Sequence, residues 1–365
     1  MKILIITNHS YMLYRFRREL IEELHKNHEI VLSMPFVGHE NDFMDMGIRC
    51  IDTYIDRRGI DPRHEIDLLK TYRKILLQEQ PDFVITYSIK PNIYAGLLCR
   101  RMKIPYCANV QGLGTAFQKK NLAAVVTSLY RAALKEAKVV FFENTGNAKV
   151  FIDRKILPED KIVSLPGAGI NLERYPFIPY PENENVRFLY LGRFMREKGI
   201  EELFSAMRRL YQEFGKKVQL DLVGFFDEDY EAQVQSLVDE GIAVFHGFQT
   251  EPTPYYAAAD CVVLPSYHEG MSNVLLEAAA IGRPVITSNI HGCMEAVDPE
   301  VSGLLCKVRD ADDLYVQMRR MVEMSPEARK AMGIAARRKV EQEFDKKMVV
   351  QKTVRHICSN PKQTV

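Results

Sequence analysis

The run Leu264-Pro265-Ser266-Tyr267-His268-Glu269-Gly270-Met271-Ser272-Asn273-Val274-Leu275-Leu276-Glu277 combines residue types and spacings that could do chemistry. An apolar stretch ends at Leu264, Gly270 marks a turn, and a helical pattern starts at Ser272. The first amides of a helix lack intrahelical partners and its dipole favours an anion, so a phosphate would dock there. Glu277, nearly two turns inside, is placed to accept two hydrogen bonds from a ribose diol. Glu269, in the loop, would reach the sugar end of the same ligand. The two carboxylates would also serve simply to cap and solvate the helix, and their spacing leaves both readings open. A second run, Leu191-Gly192-Arg193-Phe194-Met195-Arg196-Glu197-Lys198-Gly199, likewise follows an apolar stretch and opens a helix. Arg193 and Lys198, near the carboxyl end of a strand, can neutralise a pyrophosphate.

Other chemistries lack their residues. The Walker A order G-x-x-x-x-G-K-[ST] is absent. A dinucleotide fingerprint needs G-x-G-x-x-G after the first strand, which here ends Thr7-Asn8-His9-Ser10. Gln111-Gly112-Leu113-Gly114-Thr115 holds only two of the three glycines. Neither G-x-S-x-G nor H-E-x-x-H occurs. His291, Cys293 and Glu295 could be imagined as metal ligands, but loop residues at a helix start are the favoured reading. No metal and no cofactor is expected.

The elements that must position these residues alternate. Strand-like runs fall at Ile3–Thr7, Ile30–Met34, Phe83–Tyr87, Tyr106–Val110 and Val139–Glu143, with helical spacing at Tyr14–Lys26, Ile66–Gln80, Asn92–Met102 and Leu122–Ala137. Continuous apolar strands alternating with helices imply a parallel sheet covered on both faces. Tyr175-Pro176-Phe177-Ile178-Pro179-Tyr180-Pro181 then interrupts the pattern with a proline density that fits a linker. It restarts with strands Val186–Gly192, Val218–Val223, Ala243–His246, Cys261–Leu264 and Val285–Ser288, between helices Ile200–Phe214, Tyr230–Asp239, Ser272–Ile281 and Asp313–Met324. The reading is an α/β chain of two doubly wound parallel-sheet domains, 1–175 and 186–345, joined by a linker at 176–185. The tail from about 326 reads as helical up to Pro361, and 346–365 is expected to cross back to the first domain. Ligands of such sheets bind at the carboxyl ends of the strands, and two facing sheets would leave a cleft.

Composition sets the surroundings. The hydrophobic fraction is 47%, the charged fraction 27% and the net charge +1, which fits ordinary globular cores and favours no nucleic-acid partner. Residues 1–175 carry 26 Lys+Arg against 20 Asp+Glu, whereas 176–365 carry 23 against 28. The basic excess gathers at Arg15, Arg17 and Arg18, at Arg57, Arg58 and Arg63, at Arg100, Arg101 and Lys103, and at Lys119 and Lys120. Such clusters are either solvated helix ends and loops or a surface for anionic lipid headgroups or a phosphorylated acceptor. Leu122, Val125, Val126, Leu129 and Leu134 beside them suit a helix packed on the sheet better than an interfacial one. Seven cysteines without C-x-x-C suggest a reducing compartment. No stretch approaches 18 apolar residues.

Gly192-Arg193…Lys198-Gly199 and the pair Glu269…Glu277, with Gly282-Arg283-Pro284-Val285-Ile286 and Gly303-Leu304-Leu305, resemble the donor-site signature of retaining nucleotide-sugar glycosyltransferases of family 4. In the first half, Thr86–Tyr94 and Val110–Phe117 resemble the bacterial subgroup that builds capsule, O-antigen and lipid-linked oligosaccharides, including N-acetylgalactosaminyltransferases acting on undecaprenyl-diphosphate-linked sugars. The resemblance implies the GT-B fold, two Rossmann-like domains facing across a cleft. It implies a UDP-sugar donor and a lipid-diphosphate-linked sugar acceptor, handled by a cytoplasmic enzyme peripheral at the inner face of the membrane. Arg193 and Lys198 would bind the donor diphosphate, Glu277 the ribose and Glu269 the transferred sugar. Gly270, Met271, Ser272 and Asn273 would complete the donor site. Asn8, His9 and Ser10 would close the far side of the cleft, with Gly112 and Gly114 nearby. Lys90 stands beside the position where relatives carry a histidine and is the candidate in its place. A nucleotide-sugar epimerase and a non-catalytic nucleotide-sugar-binding partner subunit are the alternatives.

Overall fold

The computed structural model describes residues 1–56, 59, 61–114, 117 and 120–358. Arg57, Arg58, Thr115, Ala116 and Lys119, named above, and the last seven residues of the tail lie outside the described residues. The chain divides into two compact units, Met1–Ala168 with Lys347–Val365, and Gly169–Lys346.

The first unit is built on seven strands: β1 (Lys2–Ile6), β2 (Glu29–Met34), β3 (Arg49–Asp52), β4 (Phe83–Tyr87), β5 (Tyr106–Val110), β6 (Val139–Phe142) and β7 (Ile162–Ser164). They lie in the order β3-β2-β1-β4-β5-β6-β7, with every pairing parallel. Strand side chains alternate between faces, so β1 sends Leu4 and Ile6 into one core and Ile3 and Ile5 into the other. The second core also takes Val349, Val350 and Ile357 from the helix Lys346–Cys358.

The second unit carries six parallel strands: β8 (Val186–Leu191), β9 (Val218–Val223), β10 (Ala243–Phe245), β11 (Cys261–Leu264), β12 (Val285–Ser288) and β13 (Gly303–Cys306). Their order is β10-β9-β8-β11-β12-β13. The chain works outward from β8 to β10, then returns to the other side of β8 and works outward again. The reversal makes the gap between the carboxyl ends of β8 and β11 a topological switch point, where ligands of such sheets bind. The first unit reverses in the same way between β1 and β4.

Residues 176–185, read as the linker, form neither helix nor strand and pack on the second unit, which begins at Gly169. Ile178 N donates to Ile281 O (3.1 Å), Tyr180 OH to Asp260 O (2.9 Å), and Arg283 to the carbonyls of Ile178 and Pro179 (2.9 Å each). Proline removes donors, not acceptors, so a proline-rich segment can still be held through its carbonyls. The tail is helical over Pro326–Glu343 and Lys346–Cys358, which are separated at Phe344-Asp345. There Ile170 N donates to Phe344 O (2.8 Å) and Lys346 N to Ile170 O (2.9 Å). Arg17 is no surface cation. It is 3% exposed, ion-paired with the buried Glu143 and set over the Tyr87 ring at 5.3 Å. Removing one partner of such a buried pair costs about 3–5 kcal/mol.

Of the other basic positions, Arg18 pairs with Glu22 one helical turn away, and Arg100 donates to Ala132 O (2.9 Å). Arg63, Arg101 and Lys103 are exposed. The helix Lys120–Leu134 buries Ala123, Val126, Tyr130 and Leu134 in the first unit and exposes Val125. Among the described residues no helix is long and apolar enough to cross a membrane.

Candidate active site

Both runs singled out for chemistry follow the strands that flank the switch point of the second sheet: Gly192–Gly199 follows β8, and Pro265–Ser272 follows β11. The loops are tied together, Tyr267 N donating to Glu197 O (2.8 Å). Gly199 has φ +70°, and a Cβ there would run into the Pro265 carbonyl. Only a glycine permits this approach without strain.

Between the loops Lys198 Nζ meets Glu269 Oε1 at 2.5 Å, and Ser266 Oγ donates to the same oxygen (2.8 Å). Arg193 is 44% exposed on its side chain and pairs with Asp227 Oδ2 (2.8 Å). The buried Tyr190 hydroxyl donates to Arg193 O (2.6 Å) and fixes the start of that loop. Burial pushes the Tyr190 hydroxyl well above its ordinary range, so it remains a donor.

Ser272 caps the helix Asn273–Ile281 by position, but its hydroxyl makes no capping bond. Its own amide is taken by Gly292 O (2.9 Å). Glu277 is 5% exposed and its Oε2 accepts from Tyr256 OH (2.9 Å). It therefore sits deeper than a carboxylate that merely solvates a helix face. Cys293, on the adjacent loop, is buried, and burial together with the Glu269 charge holds its thiol far above the range of a nucleophile. Among the described residues no three His, Cys, Asp or Glu side chains group as metal ligands. His291 instead pairs with Glu295 (2.8 Å).

Of the first-unit candidates, Asn8, His9 and Ser10 follow β1 and Lys90 follows β4, at that unit's own switch point, whereas Gly112 and Gly114 follow β5. Ser88 Oγ donates to Asn8 Oδ1 (2.8 Å), and Ser88 takes φ +74°, ψ 161°. That backbone region is costly for a non-glycine residue, about 1–3 kcal/mol, and such strain collects at functional sites. His9 caps the helix Ser10–His25 in an extended conformation. Gly114 has φ +67° and sits against Ile89. Ser10 is wholly buried: its Oγ donates to Gly38 O (2.7 Å) and accepts from Val37 N (3.0 Å). It fastens the loop after β2, and its hydroxyl is committed to that contact. Lys90 is half-buried, ion-paired with Glu65 and donating to Gly59 O (2.8 Å).

Residues 2–144 match the family model described as Glycosyl transferase 4-like, and residues 185–324 match Glycosyl transferases group 1. Between them they take in most of the chain, including both candidate sites. The chain is a GT-B glycosyltransferase of this family.

It is 27% identical over 343 residues to N,N'-diacetylbacillosaminyl-diphospho-undecaprenol alpha-1,3-N-acetylgalactosaminyltransferase of Campylobacter jejuni, spanning 88% of this chain and 90% of that enzyme. The capsular polysaccharide biosynthesis glycosyltransferase CapM of Staphylococcus aureus is 25% identical over 46% of this chain and 44% of its own length. HepE of Anabaena, in complex with UDP and glucose, superposes with a TM-score of 0.81 over 99% of this chain and 100% of that one, at 17% identity. That likeness is one of fold.

The sequence reading of this glycosyltransferase missed Ser266, Asp227 and Tyr190. Ser266 stood in the singled-out run, three residues before Glu269, and was an available signal. Asp227 lies 34 residues from Arg193, with nothing in the sequence to couple them. The close approach at Gly199 has a measurable cost. Gly199→Ala is expected to destabilise the second unit by at least about 1–2 kcal/mol from the left-handed backbone alone, read as a lower midpoint in thermal or denaturant unfolding. An unchanged midpoint would mean that the two loops are free to part.

Proposed function

We propose that the enzyme is a retaining, metal-independent transferase that moves a sugar, an N-acetylhexosamine or hexose, from a UDP-sugar to a lipid-diphosphate-linked glycan in bacterial surface-polysaccharide or glycan synthesis. The observation that carries the reading is the Lys198–Glu269 pair at the switch point of the second sheet, beside Arg193 and a helix N-terminus whose cap residue makes no side-chain bond. The name of the Campylobacter relative, similar over nearly the full length, supports the choice of donor and acceptor class.

In this reading the diphosphate lies against Arg193, Lys198 and the amides that open Asn273–Ile281. Glu277 takes the ribose, and Glu269 with the Gly270 and Met271 backbone takes the sugar hydroxyls. The bond from the anomeric carbon to the β-phosphate oxygen breaks, and its electron pair stays on the phosphate. Fixed cations and helix amides already aimed at that oxygen lower the barrier without having to reorganise. The acceptor hydroxyl adds on the face the phosphate leaves, and its proton passes to the departing phosphate oxygen. The products are UDP and the extended glycan, with configuration retained and no covalent enzyme intermediate.

The first unit, through Asn8, His9, Lys90, Gly112 and Gly114, is read as the acceptor-binding unit. Arg63, Arg101 and Lys103 are exposed and would meet an anionic membrane surface.

The test is thermal unfolding in EDTA with a panel of UDP-, GDP- and dTDP-sugars, followed by transfer assays with the stabilising donor. A ligand at a hundred times its Kd adds about 2.7 kcal/mol to the native state. Protection by a UDP-sugar and transfer that survives EDTA are the expected results. Loss of transfer in EDTA, restored by manganese or magnesium, would refute metal independence. Conversion of the donor to an isomer, with no transfer, would mark an epimerase.

A further inference from the structure

We propose that Glu295 is a positioning residue for the loop Glu269–Met271, acting through the turn at Gly292; the inference rests on the reading of that loop as the seat of the transferred sugar. Glu295 lies in a 3-10 turn, Met294–Ala296, after the loop that follows β12. Its carboxylate makes two bonds at once. Oε1 takes His291 Nδ1 (2.8 Å), and Oε2 accepts the Gly292 amide (2.6 Å). A charged acceptor on a backbone N–H makes one of the stronger hydrogen bonds available, and here it closes the turn.

What the turn touches gives it consequence. Gly292 has φ +89°, and a Cβ there would stand 2.6 Å from both the Glu269 and the Gly270 carbonyl oxygens. On its other side Gly292 O accepts from Ser272 N (2.9 Å). The backbone of the sugar-facing loop thus lies against Gly292 at Glu269 and Gly270 and is bonded to it at Ser272, and Gly292 is held by Glu295. A shift of the turn moves Glu269 and the Gly270–Met271 amides together. Arg193 belongs to the loop after β8 and does not depend on it. Catalysis is sensitive to such displacements: misplacing reacting groups by about 1 Å costs up to about a hundredfold in rate.

The experiment measures kcat for transfer and, by calorimetry, the affinity for UDP alone, on the full chain. Glu295→Ala is expected to lower kcat about ten- to a hundredfold while UDP affinity stays within about twofold. Glu295→Gln, whose amide oxygen can still accept the Gly292 N–H, should recover most of the rate. His291→Ala, which leaves that bond in place, should cost less than Glu295→Ala. Gly292→Ala keeps the carboxylate but pushes on the same two carbonyls, so it should reproduce the kcat loss even if Glu295→Ala folds poorly. A merely structural role would lower the unfolding midpoint, kcat and UDP affinity together, without rescue by glutamine, and would overturn the proposal. So would a Glu295→Ala or Gly292→Ala enzyme with kcat within about twofold of the parent. If the parent chain neither binds UDP nor transfers sugar, the underlying reading falls and this one with it. Intact parent activity with unresponsive variants overturns this one alone.

Discussion

Lys198→Ala and Arg193→Ala are each expected to slow transfer by about 10²–10³-fold, the loss seen when one preorganised donor to a developing negative charge is removed, about 2.7–4 kcal/mol. The fold should survive both changes. Arg193 is half exposed, and its ion pair with Asp227 is of the kind that contributes little to stability. Lys198 is more enclosed, and its loss leaves Glu269 with Ser266 but without its cation. The Lys198 variant should therefore show a small drop in unfolding midpoint that Arg193→Ala does not. Near-normal turnover of the Arg193→Ala enzyme at saturating donor would remove that residue from the diphosphate site.

A large loss of stability is expected at Arg283. Its side chain has no exposed surface and donates to six backbone carbonyls: Tyr256, Ala257, Ile178, Pro179, Ile281 and Gly282, at 2.8–3.3 Å. Three of these belong to the carboxyl ends of helices, where unpaired carbonyls attract a cation. Desolvation lowers its pKa to about 10, which still leaves it charged at neutral pH. Lysine has three donors on one atom and cannot span this ring of acceptors. Arg283→Lys is thus expected to cost about 3–5 kcal/mol, the range for a broken buried charge site. Denaturant unfolding of the full chain measures it, and a loss below about 1 kcal/mol would mean that the carbonyls find other donors.

The central strands could be read in the sequence because both faces are buried, leaving unbroken apolar runs such as Phe83–Tyr87 and Cys261–Leu264. The strands not foreseen, β3, β7 and β13, lie at sheet edges. Arg49–Asp52 is half exposed, Ile162–Ser164 is three residues long, and β13 starts on a glycine, so none presents the pattern of a covered strand. The candidate site was legible where its parts are contiguous. Glu269, Ser272 and Glu277 occupy one strand–loop–helix passage, and Lys198 another. What joins the passages was not legible, because such contacts are made across the fold. Arg17 looked like one of three surface arginines because its carboxylate, Glu143, lies 126 residues away. Ser10 looked like a loop hydroxyl because the Gly38 carbonyl that it binds belongs to a different turn. Arg283 was noticed only as part of a motif, since nothing in its neighbours announces an arginine whose partners are all backbone.

The helix Lys346–Cys358, which lends Val349, Val350 and Ile357 to the core of the first unit, has a consequence for synthesis. The second unit is contiguous, Gly169–Lys346, and all of it but Lys346, the first residue of that helix, precedes the helix as the chain leaves the ribosome. The usual order, in which the amino-terminal domain finishes first, is therefore inverted. The unit that begins the chain waits, with one apolar face short of its last three side chains, until the unit inserted within it has been made.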